Sequence, residues 1–375
     1  MDSDGRYHAL DSMRASMMLL GIYLHVVVGY SGDGHWPYID AHPTAALNWT
    51  LGVIHAFRMP AFFAMAGFFG ALLWTRRGPA SFLANRARRI VLPFALFWTL
   101  LFPIIVAMVI VIQQGGGPRP PLRLHPLHLW FLEYLIFLYI LGALGAWLLP
   151  GVHRAFRWAL QQPYAPAIFA AFSFLPLVLM HGTLKDPDAF VPEWRILVAY
   201  IPPFTFGWLL YHSRDLLPRF EKHIWTYLVL QVPAFFLYGL TSPREHPYLK
   251  SAGNVLLCWF LIFAVLGLFL KYASRPSPRW RYMSDSSYWL YLMHMPVVVG
   301  LQVACRPIPL PAIAKIPLVL AVSVVILVIT YDLFVRPTWI GALLNGRRYD
   351  RGIPGPLRTS TSPRTESAAA RPQSA

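Results

Sequence analysis

The sequence is poor in charged residues. Only 13% of its 375 residues are Asp, Glu, Lys or Arg, about half of the roughly 25% that is usual in soluble domains. Such a low charge density argues against an ordinary water-soluble globular protein. Cysteine is scarce as well. The sequence has only Cys258 and Cys305, and their spacing matches neither a metal site nor a redox motif, so we expect two buried thiols.

Acidic residues are the scarcer charged group. The chain has 16 Asp and Glu against 32 Lys and Arg, which gives a formal charge of +16. Basic proteins often bind nucleic acid, but here Lys and Arg are grouped in short connections on alternate sides of apolar segments. This distribution is typical of membrane proteins, and we expect no nucleic-acid partner. The first apolar run is long and has no small-residue cleavage site, so we expect it to remain as a span.

Apolar sequence is abundant. Hydrophobic residues make up 57% of the chain, aromatic residues 15%, and the mean hydropathy is +0.49. A membrane-spanning helix needs about 20 predominantly apolar residues. Ten such segments lie at about residues 12–31, 47–74, 90–113, 127–149, 164–182, 194–212, 223–241, 251–272, 284–304 and 313–335. The predicted fold class is all-α, a polytopic integral membrane protein with about ten transmembrane helices.

The basic connections predict an orientation. If the N-terminus lies in the cytoplasm, most of the Lys and Arg residues fall on the cytoplasmic side, which places both termini there. The predicted location is the inner (plasma) membrane, with the lipid bilayer as solvent. We divide the chain into a transmembrane domain, residues 1–338, and a basic tail, residues 339–375, which we expect to be disordered. We find no inverted repeat of the kind that would favour a secondary transporter.

Ionisable residues within the apolar segments are the main site candidates, because charge in lipid is costly and usually faces a protein interior. Arg14 and His25 are eleven residues apart in the first segment, so they share a helix face. His55 and Arg58 are neighbours in the second. His25 is a candidate general base, and Arg58 a candidate ligand for a carboxylate or an oxyanion. The alternatives are a packing histidine and an arginine that snorkels to the interface.

A basic cluster opens the third segment. Arg86, Arg88 and Arg89 stand in the run Asn85-Arg86-Ala87-Arg88-Arg89. They could hold the phosphates of a nucleotide-like cofactor through bidentate contacts. The same cluster also satisfies the positive-inside distribution without any ligand.

A further group of residues is predicted to contact the substrate or to support the structure of the site. These are Asp11, His55, His128, Trp130, Glu133, Tyr288 and His294. Trp130 also suits an interfacial aromatic belt, and Glu133 is expected to pair with an Arg or a His. His125 and His128 are not accompanied by further ligands at zinc spacing, so we expect no metal site.

Taken in their order along the chain, these motifs resemble those of the acyltransferase 3 family of polytopic membrane acyltransferases. The resemblance is strongest to the branch of OpgC/MdoC-type glucan succinyltransferases. The resemblance covers about residues 6–335. It rests on Leu10-Asp11-Ser12-Met13-Arg14 leading to His25; Met59-Pro60-Ala61-Phe62-Phe63; Arg86-Ala87-Arg88-Arg89-Ile90; His128-Leu129-Trp130-Phe131-Leu132; and Ser287-Tyr288 with His294. The chain departs from the family at Ala66, where Ser is frequent.

The resemblance implies acyl-CoA as a cytoplasmic donor co-substrate, no permanently bound cofactor, and a glycan or other hydroxyl acceptor outside. It also implies that His25 is catalytic and that Arg86 and Arg89 lie near CoA. Arg14 would position His25 or the acyl-pantetheine arm, and Arg58 would stabilise an oxyanion or hold a succinyl carboxylate. A covalent acyl-histidine remains open. The rival hypotheses are a proton-coupled transporter or flippase and a non-catalytic partner in polysaccharide export.

Overall fold

The computed structural model describes residues 7–32, 36–114, 124–148, 151–187 and 189–352. Within these ranges the secondary structure is helical and includes no β-strand, which confirms the all-α class. The helices are α1 (His8–Ser31), α2 (Leu47–Arg86), α3 (Leu92–Gln114), α4 (Trp130–Leu148), α5 (Val152–Gln161), α6 (Ala165–Val178), α7 (Trp194–His212), α8 (Arg219–Lys222), α9 (Ile224–Leu240), α10 (Pro247–Tyr272), α11 (Pro278–Ala304), α12 (Ala312–Thr330) and α13 (Trp339–Asn345). Two π-helices, Ala87–Val91 and Tyr331–Val335, adjoin α3 and α12.

Several of the helices are long and apolar enough to cross a membrane. Each of the ten predicted segments overlaps a helix. Among the described residues, five helices pass a test of length and composition, or six if the bent pair Arg214–Lys222 and Ile224–Leu240 is one span. That test takes Leu47–Ile112 as one helix of 66 residues, far more than one span needs. The count of ten spans and the orientation therefore stay predictions.

The outer surface is also that of a membrane protein. Large apolar side chains are more than 60% exposed at Phe172, Leu175, Trp225, Val229 and Ile313. An extended apolar exterior marks a surface that contacts lipid or another protein. Both cysteines are buried and unpaired, as the sequence predicts.

Glycines bring α2 and α7 into backbone contact. A Cβ atom at Gly67 would lie 2.0 Å from the Phe204 carbonyl oxygen, and one at Gly207 would lie 1.7 Å from the Ala64 carbonyl oxygen. Small residues make close helix crossings of this kind possible in membranes. The central helix is α1, which packs against α2, α10, α11 and α12.

The connection between the second and third predicted segments is helical. The second predicted segment ends at residue 74, where arginines follow the apolar run. In the structure α2 continues to Arg86 with one non-helical residue, Gly78 (φ 75°, ψ 170°). Arginine and alanine are good helix formers, so loss of hydrophobicity did not end the helix. As a result, the basic cluster lies on helical backbone that fixes the directions of its side chains.

The first part of the expected disordered tail is also structured. Thr338 caps α13 by accepting a hydrogen bond from the Ile340 N–H group (3.3 Å). Further on, the N–H group of Tyr349 donates to the Arg336 carbonyl (3.0 Å). Over residues 339–352 the structure thus differs from the prediction, because hydrogen bonds and buried side chains such as Leu344 tie this segment to the helices. Residues 353–375 lie outside the described part of the chain.

Candidate active site

A cavity of about 1620 Å³ lies between α1, α2, α3, α4 and α11. Its wall includes every site residue predicted from the sequence except Arg88 and Glu133. One end, here called the basic end, is lined by Arg76, Arg77, Arg86, Arg89 and Arg347. The cavity also contains the histidine cluster, defined as His25, His128 and His294. A single cavity thus reaches both the basic cluster and the buried histidines.

The histidine cluster brings together three helical segments. The ring centroids of His25 and His294 are 4.9 Å apart, as are those of His128 and His294. His25 comes from α1, His294 from α11, and His128 from the short turn that precedes α4. Packing against α11 therefore assembles residues that are far apart in the sequence.

Backbone carbonyls fix two of the three tautomers. Nδ1 of His294 lies 2.7 Å from the Tyr291 carbonyl oxygen, and Nε2 of His128 lies 3.0 Å from the Leu292 carbonyl oxygen. Because a carbonyl can only accept, these nitrogens donate, and the other nitrogen of each neutral ring keeps its lone pair. Nε2 of His294, Nδ1 of His128 and Nδ1 of His25 are buried without a hydrogen-bond partner among the described residues. The cluster can therefore accept a proton.

Trp36 and Gln302 hold His25, although the sequence analysis did not single out either residue. The indole ring of Trp36 stacks on the His25 ring, with centroids 5.1 Å apart and an interplanar angle of 20°. Its Nε1–H group donates to Oε1 of Gln302 (2.9 Å). Nε2 of Gln302 donates in turn to the carbonyls of Val26 (2.9 Å) and His25 (3.2 Å). Gln302 is fully buried, and an isolated amide in an apolar segment was the available signal.

The connection that carries Trp36 is anchored through Asp40. This carboxylate accepts hydrogen bonds from Lys315 (2.9 Å), the Tyr38 hydroxyl (3.0 Å) and the His42 backbone N–H group (3.1 Å). Burial alone would raise the pKa of Asp40, but these three donors outweigh it and the pKa lies below its ordinary value. Asp40 therefore stays ionised and ties the connection to α12.

Arg58 lies within one helical turn of His25. An added Cβ atom at Gly21, four residues before His25, would lie 2.1 Å from Nη1 of Arg58, so only glycine leaves room for the guanidinium. Arg58 is 8% exposed, which does not fit a side chain that snorkels to the interface. Its electrostatic partner is Asp186, an exposed residue of the α6–α7 connection that lines the same cavity. Asp186 was not predicted as a site residue, because it lies outside the apolar segments.

Arg14 lies in the cavity wall well away from His25. Eleven residues of helix separate them, about 16 Å at 1.5 Å per residue. The Arg14 guanidinium donates to the Ser284 hydroxyl (2.5 Å) and forms an ion pair with Asp11 (3.4 Å). Of the two roles considered for Arg14, direct positioning of His25 does not fit this distance. Contact with a donor arm that extends along the cavity does fit.

Arg86 and Arg89 face the cavity from the end of α2 and the first π-helix. Nη1 of Arg86 donates to the Tyr139 hydroxyl (3.1 Å), and the Tyr288 hydroxyl donates to the Arg89 carbonyl (2.7 Å). Arg88 is exposed and is absent from the cavity wall, which does not fit its predicted role in cofactor binding. A π-helix is frequent at functional sites, and the sequence pattern gave no sign of it.

The remaining predicted residues differ in their burial and in their contacts. Trp130 is buried and stacks on Tyr200 (5.8 Å, 30°), so it belongs to the core and not to an interfacial belt. Glu133 is buried, but its predicted ion pair is absent among the described residues, where Oε2 has no hydrogen-bond partner. His55 is half-buried in the cavity wall. In the part of the chain that the structure describes, no group of three or more His, Cys, Asp or Glu side chains is placed to hold a metal ion.

Comparison with known proteins adds a family match. The acyltransferase-domain model of the acyltransferase 3 family matches residues 7–334. "Glucans biosynthesis protein C" of Salmonella paratyphi B is 25% identical, over 78% of this chain and 83% of that protein. The protein of the same name from Escherichia coli O157:H7 is 24% identical, over 78% and 82%. No solved structure matches. The matched residues run from α1 into the second π-helix, and so stop before α13.

Proposed function

This chain belongs to the acyltransferase 3 family, and on that premise we propose that it moves an acyl group from cytoplasmic acyl-CoA to a hydroxyl of an envelope glycan. The observation that carries the proposal is the single cavity that joins the basic end to the histidine cluster. The relatives named for glucan biosynthesis support a glucan as the acceptor.

The basic end supports a phosphate-bearing donor. Guanidinium groups bind phosphate bidentately, and Arg86 and Arg89 present theirs to the cavity from helical backbone. In this proposal the nucleotide of CoA binds there and the acyl-pantetheine arm extends past Arg14 towards His25. Asp11 and Ser284 hold Arg14 in the wall along that path.

His25 then acts as the general base. It takes the proton of the acceptor hydroxyl while that oxygen attacks the thioester carbonyl. The C–S bond of the tetrahedral intermediate breaks, and the proton passes from His25 to the departing thiolate, so the products are an ester and free CoA. Arg58, one turn from His25, stabilises the oxyanion; with a dicarboxylic acyl group it holds the distal carboxylate instead. In a two-step variant the acyl group first bonds to the histidine.

Release of CoA tests this proposal most simply. The purified protein is incubated with acetyl-CoA or succinyl-CoA and a linear glucan. Free thiol is measured, and the glucan is analysed by mass spectrometry. We expect thiol release that depends on glucan, with a matching mass increase of the glucan. A protein that leaves both acyl-CoA substrates intact would favour the transporter or export-partner hypotheses.

A further inference from the structure

The segment of residues 339–352 lies beyond the family match and yet lines the cavity at its basic end. Leu344, Asn345, Arg347 and Tyr349 belong to the cavity wall, together with Arg86 and Arg89. Arg347 and its neighbour Arg348 are both exposed, but only Arg347 is part of that wall. One side chain of an adjacent arginine pair therefore faces the cavity and the other does not.

This C-terminal segment is docked at several points. Arg336 is buried, with its guanidinium 4.9 Å from the Tyr282 ring centroid and 5.1 Å from that of Tyr349. The Asn345 side chain donates to the Tyr331 hydroxyl (3.0 Å). The Gly352 N–H group donates to the Asp332 carboxylate (2.9 Å). These contacts make the segment a fixed part of the wall.

The segment lies against Arg89, one of the predicted donor arginines. Gly346 ends α13 with a left-handed backbone (φ 79°), and a Cβ atom there would lie 1.5 Å from Nη2 of Arg89. Only glycine allows Arg89 to take this position. Tyr349 holds Arg347 in two ways. The Tyr349 hydroxyl accepts a hydrogen bond from Nε of Arg347 (2.6 Å), and the Tyr349 ring centroid lies 4.6 Å from the guanidinium carbon.

Positive charge at this end exceeds the nearby negative charge. The five arginines of the basic end share the cavity with four carboxylates, those of Asp11, Asp186, Glu193 and Asp285. Asp11 pairs with Arg14, and Asp186 attracts Arg58. Guanidinium groups collected around one space repel each other unless an anion lies among them. A phosphate group has the charge and the oxygen geometry to bind several of them.

We propose that the C-terminal segment is a wall of the donor site and that Arg347, with Arg89, binds a phosphate group of the donor nucleotide. This inference rests on the proposed function. An anionic lipid headgroup offers the same phosphate chemistry, and the experiment must separate the two sources.

The test compares Arg347→Gln with Arg348→Gln in nanodiscs of phosphatidylcholine, which has no net anionic charge. Kinetics are measured with acyl-CoA and with acyl-pantetheine, which lacks the nucleotide. For Arg347→Gln we expect the KM for acyl-CoA to rise about tenfold, since one charge-assisted contact is lost, while the KM for acyl-pantetheine stays unchanged. Arg348→Gln should behave like the wild type with both donors.

Three results would overturn the inference. These are an unchanged KM for acyl-CoA in Arg347→Gln, an equal increase in both variants, and an effect that appears only when phosphatidylglycerol is added. Binding of adenosine 3′,5′-bisphosphate, measured by calorimetry, is a second readout that needs no turnover, and Arg347→Gln should weaken it. If the wild type binds this nucleotide but cleaves no acyl-CoA, the proposed function fails while the binding site stands.

Discussion

At the scale of single residues, His25 is held from two sides. The Trp36 ring covers it, and Gln302 bonds both to the indole and to the His25 carbonyl. Gly29 makes this possible, because a Cβ atom there would lie 2.5 Å from the Gln302 amide nitrogen. Trp36 and Gln302 are therefore positioning residues that set the direction of the imidazole.

Trp36→Phe keeps a stacked ring but loses the indole N–H group, and Gln302→Met removes the amide. We expect Trp36→Phe to lower kcat about fivefold, as for one hydrogen bond of about 1 kcal/mol. Gln302→Met should lower kcat at least as much, because it also removes the bonds to the Val26 and His25 carbonyls. Neither change should alter the KM for acyl-CoA. The double variant should be no slower than Gln302→Met alone, because both changes break the same bond. Additive losses, or a change in KM alone, would contradict the positioning role.

The sequence made some of these residues predictable and others not. His25, Arg58, His128 and His294 were predicted because an ionisable group in an apolar segment is conspicuous, and all four lie in one cavity. Trp36 was not predicted because it lies in a connection rich in aromatic and polar residues, where one more tryptophan carries no signal. Its importance comes from tertiary contacts with α1 and α11.

At the scale of elements, the end of α2 and the π-helix Ala87–Val91 decide which arginines face the cavity. From charge alone, Arg86, Arg88 and Arg89 form one predicted cluster, and only the family resemblance distinguishes Arg86 and Arg89 from Arg88. In the structure Arg86 and Arg89 line the cavity, while Arg88 is exposed outside it. Periodicity locates an apolar segment well, but it does not show where a helix continues into polar sequence or widens to a π-helix.

The double variant Arg86→Lys with Arg89→Lys tests the donor role of this element. Lysine keeps the charge and the membrane orientation but loses the planar fork that binds phosphate. We expect the KM for acyl-CoA to rise about tenfold. Arg88→Lys serves as the matched control and should leave the KM for acyl-CoA unchanged. If the double variant has a normal KM, the donor nucleotide binds elsewhere and the Arg275–Arg281 connection is the next candidate.

At the scale of the whole molecule, the proposal requires the basic end to face the cytoplasm. The positive-inside distribution predicts this orientation. Labelling of residues at the two ends of α10 tests the orientation directly. Arg244 precedes α10 and Arg275 follows it, and both are exposed. The two positions are predicted to lie outside and inside the membrane, respectively.

In intact cells, Arg244→Cys should react with a membrane-impermeant maleimide, whereas Arg275→Cys should react only after permeabilisation. The unchanged protein is the control, since Cys258 and Cys305 are both buried. The reversed labelling pattern would place the basic end outside, away from cytoplasmic acyl-CoA.

The all-α class and the presence of several apolar helices were accessible from the sequence, because hydrophobic segments of about 20 residues indicate candidate membrane helices without tertiary information. The ordered segment of residues 339–352 was not, since its composition is that of a polar tail and its order comes from contacts of Arg336, Asn345 and Gly352 with the helices.

The turnover of His25→Ala tests most directly whether His25 performs the acyl transfer within this cavity. Glucan-dependent CoA release is compared with that of the wild type, with thermal unfolding and the KM for acyl-CoA as checks on folding and donor binding. If His25 is the general base, we expect intact folding, an unchanged KM, and a kcat that is lower by ~10²–10⁴-fold. A well-folded His25→Ala protein that transfers acyl groups at close to the wild-type rate would contradict that role.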